Sequence, residues 1–409
     1  MSVSHQYQQE EKLYCFYDMA SSPCSYDFFD FLYAADICRI RRGLTKLEVV
    51  LVHGPRNKYR NDNHRSFERN ELFFHNVIIP GLTLLPSIDS FCWKCREELD
   101  LGAMAVESIF PRGYTLQTPY PEYLSHELVA AKIRNDKPSA FVAPDFALNM
   151  VDSFIEHHIG PDHFVTLTTR ELARGDENKT RSVNVAQWHK IFQRMVDLGV
   201  KPVVIRDTSM AFDQPLFDKT IAVEAPVASI HLPFRLALYE RALVNFTRNN
   251  GPSMLLLYGK SRSRFYNEFD ESFAAVSAPW FARNYGMVRG SQFPMASTNA
   301  RVVWDPEDPE EISSMIESLL ATTAPAPGLS PFSSRENAVA SWSTACSHLI
   351  KCLRFDVQKE DAALAKGLIE LNESFQLEAD LGDYLAKADS VAKFPTNILS
   401  KLEKLLSDI

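Results

Sequence analysis

The fold class this sequence predicts is α/β: two Rossmann-like, doubly wound domains followed by a helical appendage. Three observations predict it. Near-continuous apolar runs of strand length alternate with amphipathic helical stretches, as in parallel sheets covered on both faces. The alternation starts twice, near residue 12 and near residue 163. A chain of 409 residues is also too long for one ordinary core.

The first run is "KLYCFYD" (12–18), followed by the small-residue turn "SSPCS". Phe28, Phe31, Leu32, Ala35 and Cys38 then keep one helical face, and "RIRRG" closes that helix with cations and a glycine. "LEVVLVHGP" (47–55) is a second strand, stopped by Gly54 and Pro55. In the second half, "HFVTLTTR", the helix "NVAQWHKIFQRMVDLG" and "KPVVIRD" repeat the pattern, and "TIAVE", "FRLALYERA", "LVNFT" and "ARVVWDP" continue it. A helix then opens at Asp308 and Pro309, with Glu311 completing a capping box, and carries the apolar stripe Ile312, Met315, Ile316, Leu319 and Leu320. "ATTAPAPGLSP" reads as a linker to helices without strand patterning. The predicted units are 1–150, 151–322 and a linker with helical tail, 323–409.

Composition narrows the function classes. Apolar residues at 45% and charged residues at 23% describe a soluble globular chain. A net charge of −9 argues against general binding to nucleic acid, while leaving room for a local basic cleft. No stretch approaches the roughly 20 apolar residues of a membrane span. The polar start "MSVSHQYQQEEK" is unlike a secretory signal, so a cytoplasmic location is expected. Seven cysteines, an odd number, do not form a disulfide framework, and Cys92 and Cys95 lack the second half-site that zinc would need.

Several motifs fail on inspection. "YGKS" (258–261) has Met254 where a phosphate-binding P-loop needs glycine, and no GxGxxG follows the first strand. GxSxG and Asp-x-Asp are both absent, so any diphosphate chemistry would rest on cations and backbone amides rather than a metal.

Three constellations remain at the carboxyl ends of predicted strands, where doubly wound sheets bind ligands. In "TTRELARGDENKTRSVN", Arg170 ends a strand, and Arg174, Lys179 and Arg181 precede a helix starting near Asn184; cations beside a helix amino terminus suit an anion. In "TRNNGPSML", Asn249 and Asn250 offer amides, Gly251 allows close approach of the backbone, Pro252 suits a first helical turn and Ser253 offers a hydroxyl. A plain turn is the competing reading. In "YDMASSPCSYD", Asp18 and Asp27 are candidate general bases, against the alternative of strand-end and helix-capping roles.

The stretches "YDMASSPCSYDFFDFL", "RSVNVAQW" with "PVVIRDT", and "ALYERALVNFTRNNGPSML" resemble glycosyltransferases of bacterial surface-polysaccharide loci. The paired domains, with "NNGP" after a late strand and a terminal "RVVWDPEDPEEISSMIESLL", resemble the two-domain glycosyltransferases called GT-B. The likeness spans residues 12–320 and leaves out the tail. It implies a metal-independent transfer from a nucleotide-sugar donor to a glycan or glycolipid acceptor, with no cofactor beyond the donor itself. Arg170, Arg181, Asn184, Asn249, Asn250, Gly251, Pro252 and Ser253 would then be donor-side, Gln292 would add a polar contact, and Asp18 or Asp27 would be the base. The glycine-rich first turn and the glutamate pair of several retaining families are not evident, which leaves the stereochemical outcome open. A nucleotide-sugar epimerase or hydrolase of the same form, and a non-catalytic assembly protein, stay open as alternatives. So do peripheral membrane association and self-association through the tail.

Overall fold

The computed structural model describes residues 12–321, apart from 56, 62–64, 120–123, 172–181, 267–268 and 272, and then 332, 334–353 and part of 363–374. Two all-parallel sheets form the frame. The first has strands β1 (Lys12–Asp18), β2 (Lys46–Val52), β3 (Ile88–Lys94) and β4 (Ile109–Phe110), in the order β3-β2-β1-β4. Helices α1 (Phe28–Arg41), α2 (Phe67–Phe73), α3 (Ile79–Gly81) and α4 (Ser125–Arg134) accompany it, a π-helical stretch at Phe74–Ile78 joining α2 to α3.

Helix α5 (Asp145–His158) leads into the second sheet. Its strands are β5 (His163–Thr168), β6 (Val200–Ile205), β7 (Val223–Glu224), β8 (Asn245–Arg248), β9 (Ser263–Tyr266) and β10 (Ala300–Val303), in the order β10-β9-β8-β5-β6-β7. Between them lie α6 (Val185–Asp197), α7 (Pro226–Ile230), α8 (Leu232–Arg241), α9 (Ser253–Leu257) and α10 (Ala278–Tyr285). Helices α11 (Pro309–Ala321) and α12 (Arg335–Leu353) follow. The doubly wound α/β class is therefore as the sequence predicts, while β3, β4 and β9 have no counterpart in the apolar pattern. The edge strand β3 alternates between half-buried and exposed residues, so it lacks the continuous apolar run that marks its neighbours.

Helix α1 departs most from its predicted amphipathicity. Every residue from Phe28 to Cys38 is buried, not one face alone. One side packs on the first sheet, and the other meets the second domain, where Tyr33 stacks on Tyr258 with ring centroids 4.3 Å apart. Asp30, wholly buried, accepts hydrogen bonds from the hydroxyls of Tyr258 (2.5 Å) and Tyr285. Asp36, also buried, accepts from Arg39 Nε, Ser87 Oγ and the Ser139 amide at 2.6–2.7 Å, fixing the connection between the sheets. A single apolar cluster runs from Leu13 through α1 to Leu255, Tyr285 and Val302.

The expected boundary at residue 150 falls inside α5, which packs on α8 and is tied to it by the Asp152–Arg241 pair. Helix α12, at the start of the expected helical tail, packs on the body. It lies against both α4 and α10, burying Trp342 and Leu349 with Val129 and Ala130. Asn337 and Ser341 donate to the Gly286 carbonyl, and a Cβ at Gly286 would come within 2.5 Å of Ser341 Cα. His348 reaches Glu127 at 2.5 Å, alongside Arg134 and Arg41. Burial pushes the Glu127 carboxyl up, but His348 and the two arginines hold it well below the usual range.

Burial raises the Asp30 carboxyl from 3.8 to about 6, against the opposing hydrogen bonds of Tyr258 and Tyr285. The folded state therefore holds this proton more tightly than the unfolded chain. Its contribution is full below the unfolded value and is lost as pH rises through the folded one, a change of about 3 kcal/mol. The stability difference between wild type and Asp30→Asn, measured by urea unfolding, should shift by that order between pH 4 and pH 7. A difference independent of pH would show that Asp30 does not titrate in this window.

Candidate functional site

A doubly wound sheet opens a crevice where successive strands depart in opposite directions. In the second sheet that point lies between β5 and β8, since the chain runs from β5 to β6 and β7 on one side and from β8 to β9 and β10 on the other. The carboxyl ends of these two strands carry "TRE" and "RNNGPS", so two of the three predicted constellations flank one crevice.

Its charged lining is mostly paired. Arg206, after β6, grips Glu171 with Nε and Nη2. Arg248 is held by Glu307 and donates to the Ser182 carbonyl. Asp207 accepts the Glu171 amide at 2.7 Å; burial pushes its carboxyl up, against the pull of that amide, Arg170 and Arg235. The half-buried Arg170 is thereby placed beside Asp207 at the crevice.

Arg235 is the residue the sequence pattern hides, because it sits inside the apolar stretch "FRLALYERA". It is only 2% exposed. Its Nε donates to the Ala228 carbonyl at 2.5 Å, and Nη1 lies 3.5 Å from the hydroxyl of Tyr26, a first-domain residue. Among the described residues no carboxylate stands within ion-pair distance of it. A buried guanidinium so placed carries a desolvation cost of several kcal/mol that a bound anion would offset. The signal in the sequence was a cation in the early, apolar part of a helix.

The "NNGPS" turn is built differently from the expected ligand cradle. Asn250 is buried; its amide donates to Thr247 Oγ1 and its Oδ1 accepts the Ser253 amide, while Ser253 Oγ returns to the Asn250 carbonyl. These bonds start α9, with Pro252 just before its first residue. Gly251 does mark a close approach, but to protein: a Cβ there would lie 2.4 Å from Cδ2 of Tyr26. Asn250, Gly251 and Ser253 thus lock the turn and seat the first domain's ring against it, and half-buried Asn249 is left at the crevice lip.

The other expected residues divide in the same way. Asp18 is buried at the end of β1, with Arg96 Nη1 at 2.7 and 2.8 Å, the Tyr114 hydroxyl at 2.8 Å and the Ala20 amide at 2.9 Å. A carboxylate so occupied anchors β1 to β3 and β4 and has little capacity left as a base. Asp27 occupies the N-cap position of α1 without capping it; half-buried, it accepts the Ser25 hydroxyl. Asn184 caps α6 through the Gln187 amide at 3.2 Å. Gln292 pairs its amide with both backbone groups of Val302, closing the edge strand β10 rather than facing a ligand. Arg174, Lys179 and Arg181 lie outside the described residues.

The Gly251–Tyr26 contact yields a test by double-mutant cycle. Gly251→Ala should destabilise the protein by about 1–3 kcal/mol through overpacking. In a Tyr26→Ala background the same change should cost much less, because the obstructing ring is gone. Equal costs in both backgrounds would mean that Tyr26 is not what the glycine accommodates.

No protein-family model matches this chain, and no curated protein matches it. Among solved structures it is similar to ADP-heptose heptosyltransferase II of E. coli, at 11% identity and a TM-score of 0.32, covering 76% of each chain. It is also similar to a glycosyl transferase family 9 protein of Veillonella parvula, at 10% identity and a TM-score of 0.36, covering 83% of this chain and 98% of that one. A third is the dodecameric iron-containing heptosyltransferase TibC, from enterotoxigenic E. coli, at 13% identity and a TM-score of 0.37, covering 76% and 77%. At this distance the functional reading rests on the crevice's own residues.

Proposed function

We propose that the chain is a glycosyltransferase that binds the diphosphate of a nucleotide-sugar donor in the β5/β8 crevice and passes the sugar to a glycan or glycolipid hydroxyl. The observation that carries this reading is Arg235, a buried guanidinium beside the crevice with no carboxylate within ion-pair distance among the described residues, Asp207 acting on it only from further away. Arg170, at the end of β5, shares Asp207 with it as a charged neighbour. As the donor's glycosidic bond breaks, negative charge develops on the departing diphosphate. A guanidinium fixed by the Ala228 carbonyl meets that charge without reorganising, which is the most effective form of electrostatic stabilisation. Burial strengthens the interaction, because water screens it less.

The reading assigns charge compensation to guanidinium groups and so expects metal-independent transfer. Activity should survive EDTA; a complete loss that added divalent cation restores would overturn that part. The acceptor's proton would pass to Asp27, since Asp18 is already held by Arg96, Tyr114 and an amide. Asn249, at the crevice lip, would contact the donor's sugar or nucleoside.

Calorimetry with nucleoside diphosphates, beside turnover with a panel of nucleotide sugars, tests the assignment. Arg235→Ala should weaken diphosphate binding by roughly ten- to a hundredfold, the value of one charge-assisted contact. Arg235→Lys should recover only part, because an ammonium lacks the planar two-pronged geometry. Asp27→Asn should keep donor affinity and lose turnover. A folded Arg235→Ala variant that binds nucleoside diphosphates like wild type would sink the donor site.

A further inference from the structure

The CxxC spacing of Cys92 and Cys95, unexplained by metal or redox motifs, acquires a different meaning in the fold. Residues alternate faces along β3. Cys92 packs inward against the cluster of Phe16 and Val50, whereas Trp93 turns to the opposite face, against Phe74 and His53. Cys95 follows just beyond the strand on that second side, and its Sγ lies 3.3 Å from His53 Nδ1. The two cysteines are thus held on different faces and are poorly placed to bridge each other. His53 is itself fixed: its amide bonds the Lys94 carbonyl at 3.0 Å, and its ring meets Trp93 edge-on at 5.0 Å, with Lys58 over the far ring. Burial and the Lys58 ammonium push the imidazole below its ordinary value, against the opposing carboxylates of Glu98, which accepts the Cys95 amide at 2.8 Å, and Glu97, so at neutral pH it is a free base able to take a thiol proton.

We propose that Cys95 is an imidazole-activated thiol and a site of covalent modification, taking low-molecular-weight disulfides into a mixed disulfide. Cys95 Sγ attacks one sulfur of the reagent, its proton passing to His53 Nδ1. The new bond joins Cys95 to that sulfur as the reagent's own S–S bond breaks, and the departing thiolate recovers the proton from His53. Cys95 is oxidised and one reagent thiol is released. Because Cys92 faces the other way, nothing nearby resolves the adduct, which persists until an external thiol removes it. The adduct stands next to Arg96, whose guanidinium holds Asp18, at the carboxyl edge of the first sheet. Cys15, Cys24, Cys38 and Cys346 are buried, and burial pushes the Cys24 thiol up to about 12, so they do not compete.

Glutathione disulfide at neutral pH, followed by intact-protein mass and peptide mapping, is the test. One adduct should form rapidly on the folded protein, map to Cys95, disappear with dithiothreitol and fail to form in Cys95→Ser. His53→Ala and the near-isostere His53→Asn should each slow it by about tenfold, since no positioned base then takes the thiol proton as the sulfur attacks. Circular dichroism confirms that each variant remains folded, and one folded histidine variant is sufficient. Fast modification at Cys92 or Cys352 in place of Cys95 would overturn the proposal. So would a Cys95 rate unchanged by loss of the imidazole, or a Cys92–Cys95 bridge in place of the mixed disulfide.

Discussion

The burial of Asp30 between two tyrosine hydroxyls is the constraint on which the rest of the molecule depends. A carboxyl group in the middle of an apolar cluster is costly unless its oxygens are hydrogen-bonded, and both donors come from the other domain. Removing either tyrosine, or shifting the domains by a few ångströms, would leave a buried polar group unsatisfied. The Asp30 bonds therefore specify one relative position for two sheets whose apolar contacts alone would tolerate several. Tyr33 stacked on Tyr258 strengthens the same joint from the next turn of α1.

That fixed position composes the candidate site. The loop leaving β1 projects Tyr26 across to the second sheet, where Gly251 offers no side chain to obstruct it and Arg235 points at its hydroxyl. Both domains thus contribute to one crevice. The apolar cluster that both domains share opposes hinge opening, unlike the polar interfaces over which domains usually move. The tail adds to this rigidity, because α12 bridges α4 of the first unit and α10 of the second and closes the Glu127 network with His348.

Much of the frame was legible because buried parallel strands leave continuous apolar runs. β1 begins and ends where "KLYCFYD" does, and Asn184 caps α6 where the helical period begins. Contacts between elements distant in sequence were not legible. A helix buried all round by a second domain carries more apolar residues than one stripe, and α1 showed that excess in Phe29, Tyr33 and Ile37, but periodicity could not name what covered them. Gly251 announced a close approach and stayed silent on its partner, which proved to be a tyrosine more than two hundred residues earlier. Asp18 looked available because Arg96 and Tyr114 approach it only in the folded chain.

Arg235 shows the same limit from the other direction. Local pattern treats a cation in "FRLALYERA" as the polar face of an amphipathic helix, because most helices have such a face. Here α8 is buried from Leu232 to Tyr239, so the guanidinium has no solvent to face and must be satisfied inside. The Ala228 carbonyl and the distant Tyr26 hydroxyl satisfy hydrogen bonds without neutralising charge. The guanidinium therefore keeps its charge inside the fold, with Asp207 acting on it from beyond ion-pair distance. A guanidinium held out of water on a buried helix carries a desolvation cost, and that cost is what makes Arg235 the candidate for an anion contact.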